Sequence, residues 1–139
     1  MELATALEHA AGQRVGVLVT TKRDGRPQLS NITHAVGGDG LIRISVTDGR
    51  AKTKNLRRDP RASLYVGRAD GWAYVVIEAE AELSAVATQP DDATVDELVE
   101  LYRRVQGEHP DWSEYRQVMV DDGRLVVRLR PQRAYGFWS

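Results

Sequence analysis

Leu3, Ala6, Leu7 and Ala10 recur at helical spacing and predict a short amphipathic helix, with Gly12 as its stop. The period then changes. Residues 15–20, Val-Gly-Val-Leu-Val-Thr, form a β-branched run of strand length. Asp24-Gly25 supplies the positive φ of a tight turn, and residues 28–36 resume as a second strand. A glycine-rich turn at 37–40 precedes a third strand over 41–46, so the three strands read as a meander. Residues 62–66 predict a fourth strand. The longest run, 72–83, alternates cleanly: Ala73, Val75, Ile77, Ala79, Ala81 and Leu83 share the core face, while Trp72, Tyr74, Val76, Glu78, Glu80 and Glu82 share the other. Helical periodicity returns over 90–107, where Val95, Leu98, Leu101, Tyr102 and Val105 make the apolar stripe and Thr94 with Glu97 has capping-box spacing. A second helix is expected over 111–120 and a last strand over 124–130, with 131–139 as a tail. Five or six antiparallel strands with short turns predict a mainly β fold with helices packed on it. Closure into a small barrel removes its exposed edges.

Composition narrows the chemistry. The 139 residues suit one domain, 1–139, and contain no cysteine, which excludes disulfides, zinc–thiolate sites and a thiol nucleophile. No apolar run approaches the roughly 18 residues of a membrane span. The acidic, amphipathic start does not resemble a signal peptide, so a cytoplasmic location is expected, without a membrane partner. The net charge of −1 argues against bulk attraction to nucleic acid.

Charge is unevenly spread. Residues 78–122 hold thirteen acids against three bases, and the remainder holds sixteen bases against seven acids. The sharpest concentration is 50–61, with Arg50, Lys52, Lys54, Arg57, Arg58 and Arg61 against Asp59 alone. It reads as a loop entering a short helix that stops before Pro60. Backbone N–H groups at a helix start, flanked by Arg and Lys, suit a phosphate. A phosphate-bearing small molecule is therefore the expected ligand.

Around this segment the candidate residues are polar or aromatic rather than nucleophilic. Ser45 lies on the third strand, five positions before Arg50, and Gln28-Leu29-Ser30-Asn31 on the second strand offers donors and acceptors to a heterocycle. Trp72 and Tyr74, on the outward face of a strand, need cover from a ligand, a helix or a second subunit. His9, His34 and His109 show no ligand spacing, and no catalytic residue or metal site is indicated. Any chemistry would come from a bound cofactor.

Taken together, residues 16–31 (Gly-Val-Leu-Val-Thr-Thr-Lys-Arg-Asp-Gly-Arg-Pro-Gln-Leu-Ser-Asn) resemble the first hairpin of the flavin-binding split β-barrel superfamily that includes pyridoxamine 5′-phosphate oxidase. With Arg50-Ala-Lys-Thr-Lys-Asn55, Arg58-Asp-Pro-Arg-Ala-Ser63, Asp70-Gly-Trp72, the helical segment from Pro90 to Met119 and Tyr135-Gly136, the chain is similar to the actinobacterial branch that uses the deazaflavin coenzyme F420. The resemblance implies a split six-stranded barrel forming a homodimer with cofactor sites at the subunit interface. It implies that Arg50 and Lys52 bind the cofactor phosphate, with the Ala51 backbone and Asn55 nearby. Ser45 and Val46 would border the ribityl chain and ring. Gln28, Leu29, Ser30 and Asn31 would line the deazaflavin, with Trp72 and Tyr74 arriving from the other subunit. The Arg/His-bearing segment with which pyridoxamine phosphate oxidases hold their vitamer has no counterpart in 131–139. The implied activity is instead hydride transfer from reduced F420 to a small-molecule acceptor: an activated alkene, a quinone or a related conjugated compound. An FMN-binding pyridoxamine 5′-phosphate oxidase-like flavoprotein and a non-catalytic F420 carrier remain the alternatives.

Overall fold

The structure, a computed structural model, describes residues 1–139. The first helix, α1, spans Leu3–Ala11. Its Ala6 and Ala10 are fully buried against the barrel core, and small side chains there let the helix lie close to the strands. Gly12 caps it with right-handed geometry, so its stop owes nothing to a left-handed glycine.

The first two strands, β1 (Val15–Thr21) and β2 (Pro27–Thr33), form a hairpin with Thr21 opposite Pro27. Gly25 has φ 86°, and Asp24 accepts from the Arg26 amide, so the Asp-Gly pair makes the turn as its residue types require. The predicted second strand does not run unbroken to residue 36. It stops at Thr33 and resumes as β3, Ala35–Val36, which pairs not with β1 but with β4, Ile42–Thr47. The break falls at His34, whose buried ring donates through Nε2–H to the Ala10 carbonyl, 2.9 Å away. The expected meander is thus two hairpins at opposite edges of the sheet.

The remaining elements are α2 (Ala51–Arg58), β5 (Arg61–Gly67), β6 (Tyr74–Leu83), α3 (Ala93–Gln106), α4 (Trp112–Asp121) and β7 (Arg124–Phe137). All pairings are antiparallel, in the order β2-β1-β5-β6-β7-β4-β3. The continuous run 27–36 therefore serves both edges. β2 also comes against β4 without a ladder between them, which gives the split barrel. Counted as one bent strand, β2 and β3 make it six-stranded. Leu18, Ile42, Ile44, Leu64, Ile77, Leu125 and Leu129 fill the interior and are wholly inaccessible.

β7 is longer than its sequence suggests. Pro131 reads as a stop because it has no N–H to give a ladder. The register with β6 shifts there: Ala79 faces Pro131 and Glu78 faces Arg133, leaving Gln132 as a bulge. Beyond the bulge the strand continues to Phe137. Gly136 (φ 144°) permits the approach to β6, because a Cβ there would collide with the Tyr74 carbonyl oxygen.

A second, smaller cluster joins α3 and α4 to the outer face of β7 through Val126, Leu98, Val99 and Met119. The cap of α3 is Asp92, whose Oδ1 accepts from the Val95 amide at 2.8 Å, rather than the Thr94–Glu97 box. Thr94 instead donates to the Ala85 carbonyl. Glu97 lies between Arg43 and Arg128, which face each other across β4 and β7. Two like charges in that position repel, and Glu97 Oε2 accepts from both, at 2.9 and 2.8 Å. It pins α3 to the barrel.

Two outcomes follow from this packing. The guanidinium of Arg128, and then that of Arg43, holds the Glu97 carboxyl below its ordinary 4.5 despite the opposing effect of burial. Its contribution is full above that value and is lost as pH falls through the lower, folded-state one. Glu97→Gln should cost about 1–2 kcal/mol at neutral pH. It should also flatten the loss of stability below pH 4.5, read by urea unfolding across pH. Gly136→Ala should destabilise by roughly 1–3 kcal/mol in the same assay, from backbone strain and the β6 collision.

Candidate functional site

The basic run at 50–61 does not act as one patch. Arg57 pairs with Asp48 at 2.6 Å, Arg61 with Asp59 at 2.7 Å, and Arg58 donates to the Thr21 carbonyl and to Asn55 Oδ1. Arg50, Lys52 and Lys54 have no carboxylate within ion-pair distance and no side-chain hydrogen bond. The uncompensated charge is therefore at the start of α2, not along it.

That helix start is also uncapped. Arg50 occupies the cap position in an extended conformation and gives no side-chain bond, leaving the Ala51, Lys52 and Thr53 amides without an acceptor. Thr53 is occupied otherwise, donating through Oγ1 to the Thr47 carbonyl at 2.7 Å, which fixes the helix to the end of β4. Burial, then the charges of Arg50 and Arg124, lower the Lys52 pKa. Arg124 had no signal in the sequence. It enters because Thr47 and Arg124 are paired across β4 and β7, although they lie far apart along the chain. Its guanidinium makes one long bond, 3.4 Å to Ser45 Oγ, its buried Nε has no acceptor, and Asp122 is 3.6 Å away.

The β2 candidates divide by face. Leu29 and Asn31 point out and are exposed, while Gln28 and Ser30 point inward and are half-buried. Gln28 Oε1 accepts from Asn55 Nδ2 at 2.8 Å, and the same amide reaches Thr20 Oγ1 at 3.1 Å. Asn55 is thus buried in a link between α2 and the β1–β2 hairpin. Ser45 faces outward and is half-buried, but Val46 is 1% exposed and its side chain belongs to the core. Only its backbone is left to border a ligand. Thr33 of β2 and Ser45 of β4 line one cleft of about 230 Å³ with Tyr102, Tyr115, Met119 and Arg124, so helices α3 and α4 wall the seam on one side. A larger hollow of about 510 Å³ lies beside Arg43, Glu97 and Arg128, whose charges already pair with one another.

Trp72 precedes β6 rather than belonging to it and is 78% exposed. Tyr74 opens the strand and stacks on Tyr65 at 5.7 Å. They join an apolar strip across the barrel exterior: Val17 opposite Tyr65, Tyr65 opposite Val76, Val76 opposite Tyr135, and Tyr74 opposite Phe137. Tyr65, Tyr135 and Phe137 are all exposed.

The site offers no nucleophile with a base beside it. Tyr115 donates to the Leu98 carbonyl at 3.1 Å, and burial pushes its pKa up to about 12. His9 stacks on Trp138 at 4.4 Å, His34 is held at Ala10, and His109 sits among Tyr102, Trp112 and Tyr115. What the geometry can do is hold an anion against α2 and a flat group against the seam.

Residues 2–137 match the sequence model of the family described as pyridoxamine 5′-phosphate oxidase. The chain belongs to that family. Among solved structures of this fold, the chain is similar to a conserved hypothetical protein, Rv2991, from Mycobacterium tuberculosis. The TM-score is 0.74 at 26% identity, over 99% of this chain and 84% of that one. It is also similar to an F420 reductase, with TM-score 0.66 and 22% identity over 94% of each chain, a likeness of fold. A third is a heme binding protein from Mycobacterium smegmatis, at TM-score 0.63 and 28% identity. It aligns with 95% of this chain but 53% of its own length. Family membership accounts for the split barrel, which the sequence motifs had implied. No helix is long and apolar enough to cross a membrane.

The Asn55 link can be tested without any ligand. Asn55→Ala strands the Gln28 carbonyl and Thr20 hydroxyl, and should cost about 1–3 kcal/mol in thermal unfolding. Faster amide exchange in the β1–β2 hairpin should accompany it.

Proposed function

We propose that this protein binds coenzyme F420 and is an oxidoreductase passing a hydride from the reduced deazaflavin to a conjugated small molecule. The observation that carries the reading is the uncapped start of α2, where Arg50 and Lys52 have no acidic partner, on a helix tied to the end of β4 by Thr53 and to β2 by Asn55. Free amides and unpaired cations fit a phosphate diester. The sequence motifs and the fold shared with an F420 reductase favour the deazaflavin, while family membership is equally compatible with FMN.

In this reading Arg50 and Lys52 hold the phosphate with the Ala51 amide, and Asn55 keeps the helix in place through Gln28 and Thr20. Ser45 and the Val46 backbone border the ribityl chain. Leu29 and Asn31 face the ring from the outer side of β2, and Gln28 and Ser30 shape that strand from within. When bound, the reduced deazaflavin supplies the hydride. The chain's task is to hold an acceptor carbon about 3–3.5 Å from it. Since Tyr115 keeps its proton on Leu98, water is the proton source assigned here. A second copy of the chain would cover the strip of Tyr65, Tyr135 and Phe137 and bring its own Trp72 and Tyr74 to the site, as a homodimer. The three histidines, each committed to packing or a hydrogen bond, give a haem reading less support.

Arg50→Ala combined with Lys52→Ala should weaken F420 binding at least about tenfold with the fold retained, since each charge-assisted bond is worth about 1.5–3 kcal/mol. Unchanged affinity would refute the phosphate assignment. In competition, F420 should displace FMN; the reverse order would move the protein to the flavin alternative. Trp72→Ala should lower both the dimer fraction by sedimentation and the affinity for F420.

A further inference from the structure

The cleft between the helices and the barrel has a chemistry that the cofactor assignment leaves unused. It is walled by the tilted rings of Tyr102 and Tyr115, with centroids 5.0 Å apart, and floored by buried Met119. Into this mixed polar and aromatic cleft the barrel contributes Arg124. A guanidinium has five N–H donors and no acceptor capacity. Here it makes one bond of 3.4 Å to a serine hydroxyl, its Nε is buried without a partner, and its carboxylate neighbour, Asp122, stays 3.6 Å away. Arg43 and Arg128, by contrast, are each bound at 3.0 Å or less by Glu97. Lys52 lies nearby, its pKa lowered by burial and then by the charges of Arg50 and Arg124, so Asp122, in a long ion pair with Arg124 Nε, is outnumbered by bases at this end of the cleft.

We propose that this cleft binds the acceptor, and that the acceptor is a single-ring conjugated carboxylate whose carboxylate is held by Arg124. The ring would lie against the wall that the touching rings of Tyr102 and Tyr115 form together, and the cleft's roughly 230 Å³ limits the ligand to one ring. A carboxylate accepts two parallel N–H bonds from a guanidinium, and the terminal Nη donors of Arg124 are occupied only by the 3.4 Å bond to Ser45 Oγ. Thr33 and Ser45 also line the cleft, so its inner end opens on the β2–β4 seam assigned to the deazaflavin. The acceptor half of the inference therefore rests on the proposed function, whereas carboxylate binding does not. In the reaction the acceptor's carbon–carbon π bond breaks. Its β-carbon forms a C–H bond with the hydride, which carries two electrons from the reduced deazaflavin, and its α-carbon takes a proton from water. The products are the saturated carboxylate and the oxidised deazaflavin.

The test uses cinnamate and its methyl ester, a near-isostere without the charge. By equilibrium dialysis against the protein without cofactor, cinnamate should bind at least tenfold tighter than the ester. Arg124→Met should abolish that preference, and Arg124→Lys should retain part of it, with urea unfolding used to show that both variants fold. With oxidised F420 bound, cinnamate affinity should persist. With reduced F420, Arg124→Met should raise KM for cinnamate far more than it lowers kcat. Equal binding of acid and ester, or displacement of cinnamate by F420, would overturn the proposal; the latter would assign Arg124 to the cofactor's own anionic groups. A protein that keeps the Arg124-dependent preference for cinnamate but fails to bind F420 would uphold the carboxylate site while refuting the proposed function.

Discussion

The run from Pro27 to Val36 holds both ends of the sheet, and the placement of the candidate site depends on it. Its first part pairs with β1 and its last two residues pair with β4, with the bend at His34. A sheet left open here would expose two edges. Closed this way, the outer face of β2 comes beside that of β4, so Thr33 and Ser45 share a cleft although twelve positions separate them in sequence. Asn55 then ties α2 to the same hairpin through Gln28 and Thr20.

Charge placement divides the molecule into parts that hold the fold and a part left free to act. Glu97 neutralises two arginines that strand pairing forces together, and Asp48 and Asp59 occupy two bases of the 50–61 segment. Arg50 and Lys52 receive no such partner, and Arg124 is only weakly held. Holding Arg50 and Lys52 together without an acidic partner costs stability: burial, and then the charges of Arg50 and Arg124, lower the Lys52 pKa. An anionic ligand offsets that cost, which is the physical basis for assigning the corner to binding rather than to solubility.

Much of the fold was legible because its signals are local. The Asp24-Gly25 turn, the alternation along β6 and the stripe of α3 each declare themselves within a dozen residues. What failed was non-local. The end of β7 was hidden by Pro131, since a bulge that accommodates a proline depends on the facing strand. The true cap of α3 was Asp92 because the chain at Thr88 and Gln89 folds back onto that carboxylate. In the site, Arg50 and Lys52 could be picked from charge density alone. Reading which bases were already paired needed the structure, as did the inward turn of Val46. Arg124 could not be found from sequence, because only the β4–β7 ladder brings it to Ser45 and Lys52.

The central claim is that the unpaired corner at the start of α2 recognises a phosphate carried by a deazaflavin. Calorimetric titration with F420, and with the deazaflavin nucleoside that lacks the phosphate and the tail beyond it, tests this most directly. The account predicts that F420 binds at least about tenfold tighter, with an advantage that shrinks as salt is raised. Equal affinities for the two, independent of salt, would contradict it.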